Sequence, residues 1–143
     1  MKTILVPVDF NPHATAALRH AVDLAVKSEA RIVVLYADRF EPPAEFTANQ
    51  TGDIMESIDE SRRETRAELE RYAREVVPPE IEVEAVVRED YPVPAIVSEA
   101  DAQNADLIVM GSHGHGAIAR LLLGSVSAGV KKATKRPVVT VPA

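Results

Sequence analysis

Cysteine is missing from this 143-residue sequence, and its absence excludes disulfides, thiolate metal sites and thiol catalysis. The absence also fits a reducing compartment, so we expect a cytoplasmic protein. Long apolar runs are missing as well, since nothing approaches the roughly 18 residues that suggest a membrane span. The first apolar stretch is interrupted by Pro7 and Asp9, which argues against a signal peptide. We therefore expect no membrane association.

Basic residues are in the minority, with 16 Lys and Arg against 22 Asp and Glu, which gives a net charge of −6. A surplus of negative charge repels polyanions unless basic residues cluster, and no run of five or six like charges occurs. Nucleic acid is therefore not an expected partner. The length and a hydrophobic content of 46% suffice for one self-supporting core, so we predict a single domain over residues 1–143.

Five short apolar runs alternate along the chain with segments of helical periodicity. Most of the runs are unbroken, which is typical of strands buried on both faces, and strand–helix–strand order implies parallel pairing. The predicted strands are Ile4–Val8, Arg31–Ala37, Ile81–Val87, Asp106–Met110 and Pro137–Val141. The third alternates with glutamates and should lie near a sheet edge. We predict a doubly wound, Rossmann-like α/β fold, in which a five-stranded parallel sheet has helices on both faces.

Helical segments connect these strands. The first follows Asn11, a possible N-cap, and its apolar residues recur at helical spacing. These residues are Ala14, Ala17, Leu18, Ala21, Val22 and Ala25. A surface loop is expected over residues 38–52, followed by a charged helix over Asp53–Val77 whose apolar stripe includes Met55. A third helix opens at two prolines and should end near Asn104.

Glycine is scarce, yet four of the six glycines follow the fourth strand, at positions 111, 114, 116 and 124. Without a Cβ they let backbone amides approach a ligand, which favours a phosphate cradle. Gly124 can end one helical turn and Ser125 can cap the next helix, leaving amides and a positive dipole end for an anion. Either half alone is often only a turn or a cap. Together they lie at the expected switch point of the sheet, between the first and fourth strands, where such folds bind ligands.

These residues form the pattern Gly, two residues, Gly, nine residues, Gly, Ser, which reads Gly111, Gly114, Gly124 and Ser125. In this pattern the sequence resembles the ATP-binding branch of the universal stress protein family. The resemblance extends to Ile-Leu-Val-Pro-Val-Asp near the start and Arg-Pro-Val-Val-Thr-Val-Pro near the end, and it is weakest over residues 38–80. It implies the adenine nucleotide alpha hydrolase-like form of the predicted fold. Asn11 departs from the pattern, because the family commonly has a serine shortly after the aspartate.

The resemblance implies ATP as the ligand, often accompanied by Mg²⁺ or Mn²⁺. By position, the end of the first strand would touch adenosine, with Asp9 on the ribose, and Ala37 would offer backbone groups to adenine. The fourth strand and the loop after it would line the ribose and the phosphates. The expected contacts are Pro7, Val8, Asp9, Ala37, Met110, Gly111, His113, Gly114, Gly124, Ser125, Val126 and Ser127.

The resemblance further implies a nucleotide-dependent stress-response regulator or sensor. We expect at most slow ATP hydrolysis and no catalytic residue, because the sequence lacks a P-loop lysine and paired carboxylates. It also implies a homodimer through the last strand, Pro137–Val141, and an apolar sheet edge there would need covering in any case. No protein metal site is expected, because His113 and His115 have no cysteine or nearby carboxylate to complete one.

Two other interpretations stay open. A nucleotidyl-transfer or ATP-hydrolysing enzyme of the same α/β class is suggested by Asp9-Phe10-Asn11-Pro12-His13, but Ala16 stands where that motif needs a second histidine. A P-loop lysine, paired carboxylates and an obvious base are also lacking. In the other interpretation the chain is a nucleotide-free interaction module, although the glycines would then cost chain entropy without benefit.

Overall fold

The computed structural model describes residues 2–9, 12–38, 48–111 and 126–142 of the chain. Five strands form one parallel sheet, and helices lie between consecutive strands. The strands are β1 (Thr3–Pro7), β2 (Arg31–Asp38), β3 (Val83–Glu89), β4 (Leu107–Gly111) and β5 (Val138–Val141). The helices are α1 (Pro12–Ser28), α2 (Ala48–Val76), α3 (Pro92–Ala102) and α4, which covers residues 126–133.

The strand order across the sheet is β3-β2-β1-β4-β5, and every pairing is parallel. The chain winds outward from β1 through β2 to β3, then crosses back to β4 on the other side of β1. This arrangement confirms the predicted doubly wound sheet and puts its switch point between β1 and β4. β3 is an edge strand, as the alternation of its sequence predicted.

Helices cover both faces of the sheet, and each face has its own core. Alternate residues of a strand point to opposite faces, so Ile4 and Val6 pack with α1 and α2, whereas Leu5 packs with α3 and α4. The predicted stripe of α1 faces the sheet, with five of its six residues buried: Ala14, Ala17, Leu18, Ala21 and Ala25. Val22, the sixth, is partly exposed. Within the described ranges, no helix is both long enough and apolar enough to cross a bilayer.

Two predictions for α2 are wrong. The loop expected to reach Gly52 ends earlier, because α2 begins at Ala48. A glycine inside a helix costs about 1 kcal/mol relative to alanine, which a long helix tolerates. Met55, expected on the buried stripe, is 44% exposed, because α2 packs against the sheet through its second half, where Leu69 is fully buried.

Two other boundaries differ from the predicted ones for local reasons. β3 begins at Val83 rather than Ile81, because the Ile81 N–H donates to the Pro78 carbonyl in a turn, at 3.1 Å. α3 ends at Ala102 rather than Asn104, whose φ of 51° lies in the left-handed region. Asparagine adopts the left-handed conformation more readily than most residues, and a residue in that conformation cannot continue a right-handed helix.

Candidate functional site

A crevice opens at the carboxyl ends of the strands because β1 and β4 separate before they end. Their paired residues stop at Leu5 and Ile108, although both strands continue further. On its other side β1 stays with β2 as far as the pair Pro7–Leu35, and the Val8 N–H donates to the Leu35 carbonyl at 2.9 Å. One wall of the crevice is therefore β1 with β2, and the other is β4.

A cavity of about 200 Å³ lies in this crevice and has mostly apolar walls. Seven of its described lining residues were predicted from the sequence: Pro7, Val8, Asp9, Ala37, Met110, Gly111 and Val126. Five were not predicted: Ala14, Leu35, Tyr36, Pro92 and Ile96. Pockets for whole drug-sized ligands measure about 300–1,000 Å³, so this cavity suits one part of a larger molecule.

The other predicted site residues do not line the described cavity. Ser127 follows Val126 in α4 and is only 7% exposed, but it is not among the described lining residues. Four lie outside the described residues: His113, Gly114, Gly124 and Ser125. The phosphate cradle therefore stays a prediction from the sequence.

The unpredicted lining residues carry weak local signals or none. Leu35 and Tyr36 directly precede Ala37 at the end of β2, so a wider window around each strand end would have included them. Pro92 and Ile96 lie in α3, which follows the edge strand β3 and starts at the same edge of the sheet as the crevice. Only the tertiary path of that crossover brings them to the cavity.

Asp9 supplies the only charge among the described lining residues. It lies two residues beyond the end of β1 and is partly buried. Burial is the main cause that raises the pKa of both Tyr36 and Tyr72. Asp38, whose carboxylate accepts from the Tyr36 hydroxyl at 3.4 Å, raises the Tyr36 pKa further, and the Asp9 charge raises the pKa of both tyrosines. The Asp9 carboxylate lies at the cavity wall, where it can accept hydrogen bonds from the hydroxyl groups of a ligand.

The peptide groups of Ala37 point toward the crevice. Along a parallel strand, successive residues direct their N–H and C=O groups alternately to the two neighbouring strands. The Arg31 N–H donates to the Lys2 carbonyl at 2.9 Å, and the Leu35 carbonyl accepts from Val8, so the odd-numbered residues of β2 face β1. Ala37 shares this orientation but lies beyond the last pair with β1. Its N–H and C=O are therefore directed to the side of β1, beyond the last pair of β1 with β2.

A close contact between α3 and α4 holds two walls of the cavity. A Cβ placed on Gly129 in α4 would lie 2.9 Å from Val93 Cγ2 in α3, so only glycine allows the observed approach. Val93 directly follows Pro92, and Gly129 lies one turn after Val126. The contact between these helices therefore controls how far apart Pro92 and Val126 stand across the cavity.

The described lining favours an uncharged, largely apolar group with a few polar atoms. No lysine or arginine occurs among the described lining residues. Within the ranges that the structure describes, no three His, Cys, Asp or Glu residues are grouped as a metal site. An apolar slot with a few directed polar groups is the usual composition of a small-molecule site. Phosphates would need donors from elsewhere in the chain.

A doubly wound α/β sheet with a cavity at its switch point defines the class, a Rossmann-like domain with a cavity at the carboxyl edge. The family model described as the universal stress protein family matches residues 1–142. The chain therefore belongs to the universal stress protein family, which confirms the resemblance noted in the sequence.

Similar proteins cover nearly the whole chain. A universal stress protein of Thermus aquaticus is 36% identical over 143 residues, which is 98% of each chain. The solved structure of protein MJ0577 has a TM-score of 0.73 at 26% identity, covering 99% of this chain and 96% of that one. The structure of a universal stress protein in complex with cAMP has a TM-score of 0.60 at 29% identity, covering 98% of this chain and 95% of that one. The structure of the universal stress protein from Archaeoglobus fulgidus in complex with dAMP has a TM-score of 0.63 at 25% identity, covering 98% of this chain and 97% of that one.

Proposed function

We propose that this protein is a cytoplasmic regulator or sensor of the stress response that binds an adenine nucleotide, foremost ATP with Mg²⁺ or Mn²⁺, between β1 and β4. Partners would respond to the occupied state. The observation that supports the proposal most strongly is the convergence of seven residues expected from the sequence on one cavity at the switch point. Similar structures in complex with cAMP and with dAMP lend further support.

The adenine ring would lie in the apolar part of the cavity, near Ala37 and Ile96. An adenine edge carries an acceptor ring nitrogen beside an amino donor, which matches one peptide N–H and one C=O. The peptide groups of Ala37 have the required direction. Asp9 would accept hydrogen bonds from ribose hydroxyls, since a carboxylate is an acceptor only.

The ligands of the two similar complexes share the adenine base but differ in the sugar and the phosphate. Both cAMP and dAMP carry adenine, but dAMP lacks the 2′-hydroxyl and the 3′-oxygen of cAMP is tied to phosphate. A site that accepted either ligand could not require both hydroxyls. For this chain we therefore expect the adenine contact at Ala37 to be constant and the Asp9 contact to set the preference for ribose.

The phosphates would be held by the glycine-containing segment, through Gly114, Gly124 and Ser125, with His113 beside them. That assignment comes from the sequence pattern. Mg²⁺ usually keeps several waters and binds substrate phosphates with one or two carboxylates. The lack of a grouped metal site among the described residues is compatible with that mode of binding.

A homodimer through β5 is part of the proposal. β5 is an edge strand, and each of its residues is partly exposed. The Ile108 N–H donates to the Pro137 carbonyl at 3.0 Å, so odd-numbered residues of this segment bond β4. The peptide groups of Val138 and Thr140 therefore face away from the sheet, where a second copy could pair with them.

Thermal unfolding with and without nucleotide tests the proposal. A ligand at a thousand times its Kd adds about 4 kcal/mol to stability, so millimolar Mg-ATP should raise the Tm clearly. Adenosine, AMP, cAMP, dAMP and GTP complete the panel, and adenine ligands should exceed GTP. Asp9→Ala should weaken adenosine and ATP alike, whereas Gly114→Val should weaken ATP more than adenosine. Absence of any shift with all adenine ligands would contradict the proposal, and rapid conversion of ATP to ADP or AMP would favour the enzyme interpretation.

A further inference from the structure

Glu99 is a buried carboxylate in α3 that the proposed ligand contacts do not use. It is 8% exposed, and both of its oxygens accept hydrogen bonds. Oε1 accepts from Arg88 Nη1 at 3.1 Å, and Oε2 accepts from Gln103 Nε2 at 2.8 Å. Packed apolar residues often stabilise a fold as well as a buried ion pair does, and this pair is only partly buried, because the Arg88 side chain is 33% exposed. A role in fixing geometry therefore explains the pair better than stability alone.

Arg88 starts next to the expected adenine contact. It is the partner of Ala37 in the β2–β3 register, and partners in a parallel ladder point to the same face. Leu35 and Val86, the pair two residues earlier, both pack in the core beneath α3 and α4. The Arg88 side chain thus leaves the sheet on the α3 side, directly beside Ala37, and bonds Glu99.

Glu99 lies directly behind the cavity wall that α3 provides. Ile96 precedes it by three residues, so the two side chains share one face of the helix. Both are among the buried residues of α3. Pro92, the other cavity residue of this helix, lies one turn further toward the crevice. A shift of Glu99 relative to β3 would therefore move the cavity wall with it.

A second bond fixes the opposite end of α3. Gln103 Oε1 accepts from Arg31 Nη2 at 2.7 Å, and Arg31 Nε donates to Thr3 Oγ1 at 3.0 Å. Arg31 and Thr3 begin β2 and β1, so this attachment lies at the amino edge of the sheet. α3 is thus bonded at two heights, which restricts its tilt as well as its position.

We propose that Arg88 and Glu99 are positioning residues for the nucleotide site, an inference that rests on the proposed function. Their charged hydrogen bond holds α3 where Ile96 and Pro92 complete the slot for the base. The hydrophobic effect is non-directional, whereas charge-assisted hydrogen bonds add a fixed direction and distance to the apolar contacts of α3. Neither side chain needs to touch the ligand.

The test compares ATP affinity, by calorimetry, with the Tm in the full chain. Glu99→Gln keeps the side-chain volume, but its amide NH2 replaces one acceptor oxygen and cannot accept from Arg88 or Gln103 at that position. Arg88→Met keeps much of the side-chain length and removes the charge. Each should raise the Kd for ATP by roughly 3- to 30-fold, the range for side chains that act through neighbours. The double variant Arg88→Met/Glu99→Leu should recover the Tm, because an apolar pair can replace a buried ion pair, yet its Kd should stay raised.

The matched control is Asp101→Asn on the same helix. Asp101 pairs with Arg136 at 3.1 Å, and the Asp101 side chain is 65% exposed. Loss of this ion pair should leave the Kd for ATP unchanged. If Glu99→Gln does not fold, Arg88→Lys, changed at the more exposed partner, takes its place and should also raise the Kd. Wild-type affinity in the single variants, or recovery of both Tm and Kd in the double variant, would overturn the inference alone. A wild-type protein that binds no adenine nucleotide would overturn the proposed function with it.

Discussion

Gly129→Ala should have two opposite effects on stability: it improves the helix propensity of α4, and it crowds the contact between α3 and α4. In a helix interior, alanine is worth about 1 kcal/mol more than glycine. Against this gain, the new Cβ would lie 2.9 Å from Val93 Cγ2 and 3.6 Å from Cγ1. Carbon atoms pack best at about 3.5–4.0 Å, so the helices would have to separate by roughly half an ångström.

The steric cost should exceed the gain in propensity. Val93 is branched at Cβ and strongly prefers one χ1 rotamer in a helix, so it cannot rotate away cheaply. Overpacking of this kind typically costs about 1–3 kcal/mol, which leaves a net loss of about 0–2 kcal/mol after the helix gain. The separation would also displace Pro92 relative to Val126, so the Kd for ATP should rise.

Urea unfolding measures the first effect and calorimetry the second. Ala128→Gly, at the exposed neighbouring position of α4, measures propensity without a clash and should cost about 1 kcal/mol. In a Val93→Ala background, Gly129→Ala should be more favourable than in the wild type, because the clash is gone. If Gly129→Ala in the wild type stabilised the protein by as much as Ala128→Gly destabilises it, the argument from helix contact would be refuted.

The remaining predictions concern β5 and the tyrosines. Thr140→Pro removes an N–H that faces away from β4, so it should abolish dimers while each chain stays folded, and sedimentation of an unaltered dimer would exclude pairing through β5. The pKa values of Tyr36 and Tyr72 are raised above 10.0 in the folded chain, so the unfolded chain loses its phenolic protons first. Stability should therefore fall as pH rises above 10 and through the folded pKa values. Denaturant titrations would contradict this if Tyr36→Phe/Tyr72→Phe showed the same pH profile as the wild type.

The strand order was predictable because few arrangements satisfy the pattern. Unbroken apolar runs require cover on both faces, and alternating helices supply it only in a parallel, doubly wound sheet. The start of α2 was not predictable in the same way. Asn49, Thr51 and Gly52 are weak helix formers, and their helicity depends on continuity with the packed region around Leu69. Propensity at one position decides little when a long helix is anchored elsewhere.

The predictable part of the site comes from residues adjacent in sequence to strand ends, such as Asp9 and Met110. Strand ends can be located from the apolar runs, and parallel pairing brings them to one edge. Ile96 and Glu99 differ, because their relation to the site depends on the height and rotation of α3 over the sheet. Those quantities are fixed by bonds to Arg88 and Arg31, which no local pattern reveals.

Charge also determines how a nucleotide would be oriented in the cavity. Asp9 is negative, and no cation occurs among the described lining residues. A phosphate charge about 4 Å from a carboxylate costs about 4 kcal/mol at the effective dielectric constant near a protein surface. In the proposed complex the phosphates would therefore point away from Asp9, while the uncharged base would enter the apolar slot. On this argument the carboxylate would select the orientation of the ligand as well as its sugar, and a divalent ion bound with the phosphates would offset the repulsion that remains.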